Sequence, residues 1–499
     1  MIDARNPNEG KRIGKDSVEY LCFEGGGGKG SAYLGIIKGL EEKFGQTPLI
    51  DYRKNPTPEN RKIKGISGAS AGAITAFMLA MGMSAADIAN QLKRMADTEI
   101  GRNIKIVGRR QAKIVPVVKK VGIFETFFET MRNSVVNKNR VVENGMSVRE
   151  YVVKRPGWFK YIDIIFGIFV SSRRFEDSFL LKKLFLTPFE ETSTADSTSI
   201  EPYLHSLLAY RGLFSGMSVR QYFVDLLEEN IRKRLTAVTD STLKSRVKRK
   251  GLDITFEDFF NYFGCDLVIT GTNVSQHMPK YFSVHTTPSF PVIDAVCLSM
   301  NLPVIFKPIF VDYAVHKYKG DKNSDYNSAY KGLWVDGGML NNYPIHAFDR
   351  MENFSHNGVS GGFNFLTSVN HINYEVAANT VASESDFNEK VLGFRLVDFT
   401  ENKEVKTNEI FSQTEYYNIL PYMGDLLKTF MYSGGQGQIR NSKQQSRTIY
   451  VNAQDLDVVD FSPLRQNFFI HNRDTNADIN NPIEHRIVEA YESIDRILV

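Results

Sequence analysis

The stretch that decides the fold is IKGISGASAGAITAFMLAM, residues 63–81. Ile63–Ser67 predicts a short strand, Gly68–Gly72 a sharp turn, and Ala73–Met81 a helix of small and apolar residues. Gly68-Ala69-Ser70-Ala71-Gly72 is a G-x-S-x-G set between strand and helix, the setting of a nucleophile elbow. A reactive serine has to project from a tight turn, and such backbone strain costs roughly 1–3 kcal/mol. Gly68 and Gly72 let the strand and helix backbones pass without Cβ clashes, while Ala69 and Ala71 keep the approach to Ser70 open. The helix N-terminus favours negative charge on the serine oxygen through its aligned amides.

Upstream, Val18–Glu24 predicts another strand, and it ends in Gly25-Gly26-Gly27-Gly28-Lys29-Gly30. A helical pattern follows, with Leu34, Ile37, Leu40 and Phe44 on adjoining faces. Strand, glycine turn, helix, polar loop at 51–62, strand, turn, helix is the rhythm of an α/β protein with a parallel sheet. Downstream, strands are predicted at Asp266–Thr272, Leu333–Val335, near Asn364–Ser368, at Gly393–Val397 and at Thr448–Asn452, with a closing helix at Glu484–Leu498. No internal repeat is present.

A serine nucleophile needs oxyanion donors and a base. Consecutive glycines between strand and helix can aim several N–H groups at one point, and losing one such donor typically slows acyl transfer about 100- to 1000-fold. The same run also reads as G-x-G-x-x-G, a dinucleotide fingerprint, with Asp51 at about the right spacing for a ribose contact. That reading gives Ser70 no role. A phosphate loop of the G-x-x-x-x-G-K-[ST] kind fails, because Lys29 is followed by Gly30. None of the nine histidines stands in a triad context. The candidate base is Asp336, which closes the apolar strand Leu333–Val335 and precedes Gly337 and Gly338. Ser70, Asp336 and the glycine run are all expected at carboxyl ends of strands, on one rim of the sheet. A partly buried carboxylate there gains basicity and can take the serine proton directly.

These elements, in this order, closely resemble the patatin-like phospholipase family: G-G-G-x-[KR]-G at Gly25–Gly30, G-x-S-x-G at Gly68–Gly72 and D-G-[GA] at Asp336–Gly338. The stretch Asp336–Pro344, the segment Ser299–Pro303 with Phe306 and Pro308, and the turn Gly212–Gly216 before a helix add to the likeness. It covers residues 18–100 and 210–350, with fainter agreement to 465. The resemblance implies a three-layer α/β fold with a mainly parallel sheet. It implies a Ser–Asp dyad, Ser70 as nucleophile and Asp336 as base. It places the oxyanion hole in the backbone of Gly25, Gly26, Gly27, Gly28, Lys29 and Gly30, chiefly Gly26 to Gly28, with Lys29 tied to a backbone or carboxylate group. The implied activity is acyl-ester hydrolysis on lipids, of phospholipase A or lysophospholipase type, with no cofactor and no metal. The alternatives are a non-enzymatic lipid- or nucleotide-binding module and the dinucleotide enzyme above.

The chain has 499 residues, 42% hydrophobic and 24% charged, the composition of a globular protein, with a net charge of +4. That total conceals an uneven distribution. Residues 101–200 hold 18 Lys/Arg against 10 Asp/Glu, a balance of +8, so the remainder carries −4. Seven cations and no acid lie between Gly101 and Phe124, interleaved with Ile and Val, and Trp158–Phe169 adds aromatics. The stretch 100–210 reads as a mostly helical insertion suited to an anionic lipid surface, where each cation contributes about 1 kcal/mol. No nucleic-acid partner is expected, and oligomeric state is not legible. The expected organisation is a lead-in at 1–17, a catalytic core at 18–349 carrying the insertion, and a 350–499 extension completing the same α/β unit.

Cys22, Cys265 and Cys297 lie too far apart to form a CxxC pair, and no secretory signal opens the chain. The expectation is a cytoplasmic, peripherally membrane-associated bacterial enzyme or, equally, a leaderless effector delivered into another cell. Asp474–Asn480 mimics the start of an EF-hand. The loop lacks glycine at its sixth position and has His485 where glutamate belongs, so it reads as a polar loop.

Overall fold

The computed structural model describes residues 7–52, 60–92, 149–150, 212–214, 217–235, 254–306, 308–311, 330–349, 388–399, 442–456, 464, 468 and 481–499. The expected strand near 364–368 and the loop at 474–480 fall outside these residues. So does the 100–210 insertion, apart from Arg149–Glu150.

The described strands are β1 (Tyr20–Phe23), β2 (Gly65–Gly68), β3 (Arg149–Glu150), β4 (Gly212–Phe214), β5 (Asp266–Asn273), β6 (Met278–Phe282), β7 (Val304–Phe306), β8 (Ile309–Val311), β9 (Gly332–Val335), β10 (Val391–Val397) and β11 (Thr448–Asn452). Four helices matter for the site: α1 (Tyr33–Phe44), α2 (Ala71–Ala80), α3 (Val292–Ser299) and α4 (Pro482–Ile497).

Nine strands form one sheet in the order β11-β10-β1-β2-β5-β9-β8-β3, with β6 also paired to β5. From β11 to β5 every pairing is parallel, as the strand–turn–helix rhythm predicts. The remaining pairings, β5–β6, β5–β9, β9–β8 and β8–β3, are antiparallel. For β6 the reason is the short link at 274–277, which only a hairpin can span. Gly212–Phe214 is a short strand pairing with Val304–Phe306, and the expected helix follows at Met217–Leu235.

Strand side chains alternate between two faces. Leu21, Phe23, Ile66, Leu267, Ile269 and Phe394 enter the larger core beneath the helices. Cys22, Val268 and Val391 face the other way, under Tyr343, Ile345 and Phe348. Phe23 stacks on Phe394 at 5.1 Å and meets Tyr33 edge-on at 5.1 Å. Full burial of one such ring stabilises the fold by about 1.5–3 kcal/mol.

The closing helix α4 begins where the Asn481 side chain accepts from the amides of Ile483 and Glu484, with Pro482 in the first turn. Its stripe Ile483, Ile487, Ala490 and Ile494 is buried. The helix lies so close to α1 that a Cβ on Gly35 would stand 1.9 Å from the Ile487 carbonyl oxygen. Among the described residues, no helix is long and apolar enough to cross a membrane.

Candidate active site

Two strands bring Ser70 and Asp336 together along β5. The parallel strand β2 pairs with Asp266–Ile269, its last residue Gly68 opposite Ile269. The antiparallel strand β9 pairs with Thr272 and Asn273, its last residue Val335 opposite Thr272. The chains leaving β2 and β9 therefore converge beside Thr270, against whose carbonyl Gly337 packs so tightly that a Cβ would come within 2.3 Å. The glycine run, Ser70 and Asp336 each follow the carboxyl end of a strand, as expected, and what departs from a single rim is the direction of β9. Ser70 does follow the carboxyl end of a parallel strand, but Asp336 arrives from the opposite direction, and the two meet head-on.

Ser70 sits at the elbow with φ 50° and ψ −120°, a conformation that non-glycine residues rarely adopt. The flanking glycines make it possible. A Cβ on Gly68 would lie 2.2 Å from the Gly72 carbonyl oxygen, and one on Gly72 would lie 2.2 Å from that of Phe23. The Ser70 hydroxyl donates to Asp336 Oδ2 at 2.7 Å. The other carboxylate oxygen, Oδ1, accepts the Gly338 amide at 2.6 Å. Both residues are buried, Asp336 completely. Burial raises the Asp336 carboxyl to about 7, although the bonds from Ser70 and Gly338 oppose the shift. It thus has the basicity usual for a histidine.

Three residues to which the sequence reading gave no role hold this geometry. The Ser70 amide donates to Ser299 Oγ at 2.9 Å. Asn342 and Gly25 hold each other twice: the Gly25 amide donates to the Asn342 carbonyl at 2.9 Å, and Asn342 Nδ2 donates to the Gly25 carbonyl at 3.0 Å. Glu24 is buried just before the glycine run. It accepts the Leu396 amide at 2.8 Å, and burial raises its carboxyl to about 7 against the nearby Arg395. Ser299 and Asn342 lie within the stretches that carry the family resemblance, so a signal was there. Their task depends on contacts to residues more than 200 positions away.

The glycine run lies against the elbow. A Cβ on Gly25 would stand 2.9 Å from that of Ser70, and one on Gly30 would stand 2.8 Å from that of Ala71. Gly27 has φ 55° and opens a short 3-10 turn to Ala32. Lys29 Nζ pairs with Asp398 at 3.0 Å. Asp51 is elsewhere. Its neighbours Ile50 and Tyr52 pack against Gly82, just past the end of α2. The glycine run touches the start of that helix, about 15 Å away at 1.5 Å per residue. Of the described histidines, His285 bonds Asp266 at the start of β5, and His346 bonds Asp349 and Gln444. Among the described residues, no cluster of His, Cys, Asp or Glu could hold a metal ion.

The family model of patatin-like phospholipases matches residues 21–349. The chain belongs to that family. A probable lipid hydrolase, 463L, of Invertebrate iridescent virus 6 is 29% identical over 117 residues, covering 23% of this chain and 32% of that protein. The match thus spans about a third of that relative's length. Among solved structures, VipD from Legionella pneumophila aligns over 96% of this chain and 66% of its own, at 15% identity and a TM-score of 0.34. ExoU in its heterodimeric complex with SpcU, from the type III secretion system of Pseudomonas aeruginosa, aligns over 97% of this chain and 52% of that one, at 15% identity and a TM-score of 0.31.

Proposed function

We propose that the protein is a lipid acyl hydrolase of phospholipase A or lysophospholipase type, working through a Ser70–Asp336 dyad. The observation that carries this reading is the 2.7 Å hydrogen bond from the Ser70 hydroxyl to a buried carboxylate of raised basicity. Asp336 accepts the Ser70 proton as Oγ attacks the ester carbonyl. The developing oxyanion is met by amides of the glycine run. Two amides of that run are committed, Gly25 to Asn342 and Lys29 to Gly26, and Gly30 lies within the 3-10 turn, so the donors in question are chiefly Gly26, Gly27 and Gly28. Asp336 then returns the proton to the departing alkoxide, leaving an acyl group on Ser70. Water, deprotonated by Asp336, attacks that ester, and Asp336 returns the proton to Ser70 Oγ as the fatty acid leaves.

The lipid substrate requires contact with an interface. The +8 balance and the aromatic and branched residues of 101–200 support peripheral membrane docking through the insertion. Co-sedimentation with anionic liposomes tests it: a 100–210 deletion that folds and still binds like wild type would overturn docking. A cytoplasmic enzyme and a delivered effector both fit this reading. So does one catalytic unit, 18–349 with its 350–499 extension, since β10 joins the sheet beside β1 and β11 beside β10.

The decisive experiment is fluorophosphonate labelling together with fatty-acid release from phospholipid vesicles, comparing wild type with Ser70→Ala and Asp336→Asn. Labelling at Ser70 is expected, and release in both variants falls by at least about a thousandfold. Release from Ser70→Ala at the wild-type rate would overturn the mechanism. Tight dinucleotide binding without labelling would favour a cofactor-dependent enzyme.

A further inference from the structure

We infer that Ser299 is a positioning residue that sets the distance between Ser70 and Asp336. The inference rests on the dyad reading above and goes one step beyond it. Ser299 is the last residue of α3 and is fully buried. Its hydroxyl oxygen accepts the Ser70 amide at 2.9 Å, and its carbonyl accepts the Gly337 amide at 3.1 Å. Two residues on, the Asn301 carbonyl accepts the Asp336 amide at 2.9 Å. One short segment therefore grips the backbone on both sides of the dyad, and the bonds of Ser299 go to backbone amides while the Ser70 hydroxyl bonds the Asp336 carboxylate.

The grip has a physical purpose at each end. At the elbow, Ser70 is the residue before the first turn of α2, and its amide has no intrahelical partner. With φ at 50° the backbone would relax if that amide were free to find another acceptor. The Ser299 hydroxyl removes the incentive by accepting it in place. At the aspartate, two glycines follow Asp336, so the turn has little stiffness of its own. The carbonyls of Ser299 and Asn301 supply it. A second consequence follows for the oxyanion: the nucleophile's own amide is committed to Ser299, so it is not one of the donors.

The test compares wild type, Ser299→Ala, Ser299→Cys and the Ser70→Ala control on a water-soluble short-chain ester. It measures kcat and KM, and the pH dependence of fluorophosphonate labelling, with thermal melting to establish folding. Loosening a catalytic pair by a fraction of an ångström to 1 Å typically slows chemistry by up to about 100-fold. Ser299→Ala is expected to lower kcat about 30- to 100-fold with KM within about twofold, and Ser299→Cys, a weaker acceptor, to fall between. The labelling midpoint moves upward, because Asp336 loses part of the Ser70 hydrogen bond that lowers it. A folded Ser299→Ala with kcat within about threefold of wild type and an unmoved midpoint would overturn the inference. If the alanine variant does not fold, the cysteine variant decides: a fall of about tenfold or more at unchanged KM supports positioning, and wild-type kcat overturns it. Activity surviving in Ser70→Ala would instead sink the dyad reading itself.

Discussion

Ser70 and Asp336 stand 266 positions apart in the chain, and their side chains meet at 2.7 Å. In a three-residue arrangement, a third group orients the base. Here the Gly338 amide does so, holding the second carboxylate oxygen at 2.6 Å from two residues away. The orienting group is thus backbone, built into the same turn as the proposed base.

The first consequence is a pH profile. Asp336 accepts a proton only as the carboxylate, and burial raises it to about 7. The rate of Ser70 labelling is therefore expected to rise with pH through a single ionisation centred near 7 and to be low below about 5. Stopped-time labelling across pH 4.5–9 checks this. A plateau reached by pH 5 would show that an ordinary, exposed carboxylate or no carboxylate governs the step.

Asp336→Asn should also stabilise the fold at alkaline pH. A carboxyl raised in the folded state favours that state while protonated, and the contribution is lost as pH climbs from about 4 through about 7. Above that range the wild type holds a buried carboxylate at a disadvantage. Asparagine is free of it: its oxygen can accept the Gly338 amide and its NH₂ can donate to Ser70 Oγ. A gain on the order of 1–3 kcal/mol is expected at pH 8 and little at pH 4, read from urea titrations at both pH values.

Gly25→Ala should silence the enzyme. A Cβ there would stand 2.3 Å from Asn342 Oδ1 and 2.9 Å from Ser70 Cβ. The loop has to move away from the elbow, carrying the donor amides with it. A loss of about 100-fold or more in kcat/KM is expected, the scale of a lost oxyanion donor. Full activity in a folded variant would show that the loop can shift without harm.

Arg447→Ala tests the support behind the site. Arg447 forms a two-pronged buried pair with Asp349, which also accepts from His346 Nδ1 and the Asn388 amide. Burial alone would raise Asp349, but the guanidinium and His346 hold it at about 2. Breaking such a pair typically costs about 3–5 kcal/mol. The sign with pH follows. A depressed carboxyl contributes stability above its unfolded value, and that contribution fades as pH falls from about 4 towards 2. The variant should therefore lose most at neutral pH and least near pH 2, in thermal or chemical melts.

Much of this was legible in the sequence because it is local. Gly68 and Gly72 around Ser70 dictate the elbow, and the strand at Thr448–Asn452 is bounded as its run of β-formers implies. What local reading could not supply is direction. Leu333–Val335 is recognisable as a strand, yet its antiparallel run against β5 depends on pairing with Thr272 and Asn273. Ser299 and Asn342 are polar residues in otherwise ordinary contexts, and only the third dimension shows which amides they hold. The strand expected at Gly393–Val397 is present and begins two residues earlier, at Val391, whereas its contact through Leu396 to Glu24 is not readable.

That last contact bears on the order in which the molecule is made. Both proposed reacting residues have been made once synthesis passes Asp336, but the glycine run is not yet supported. Glu24 waits for Phe394 and Leu396, and Lys29 waits for Asp398. A ribosome-bound chain that has emerged only as far as Asp349 thus carries Ser70 and Asp336 without the strand that steadies the glycine run. Competence arrives late in translation, when β10 slots in beside β1.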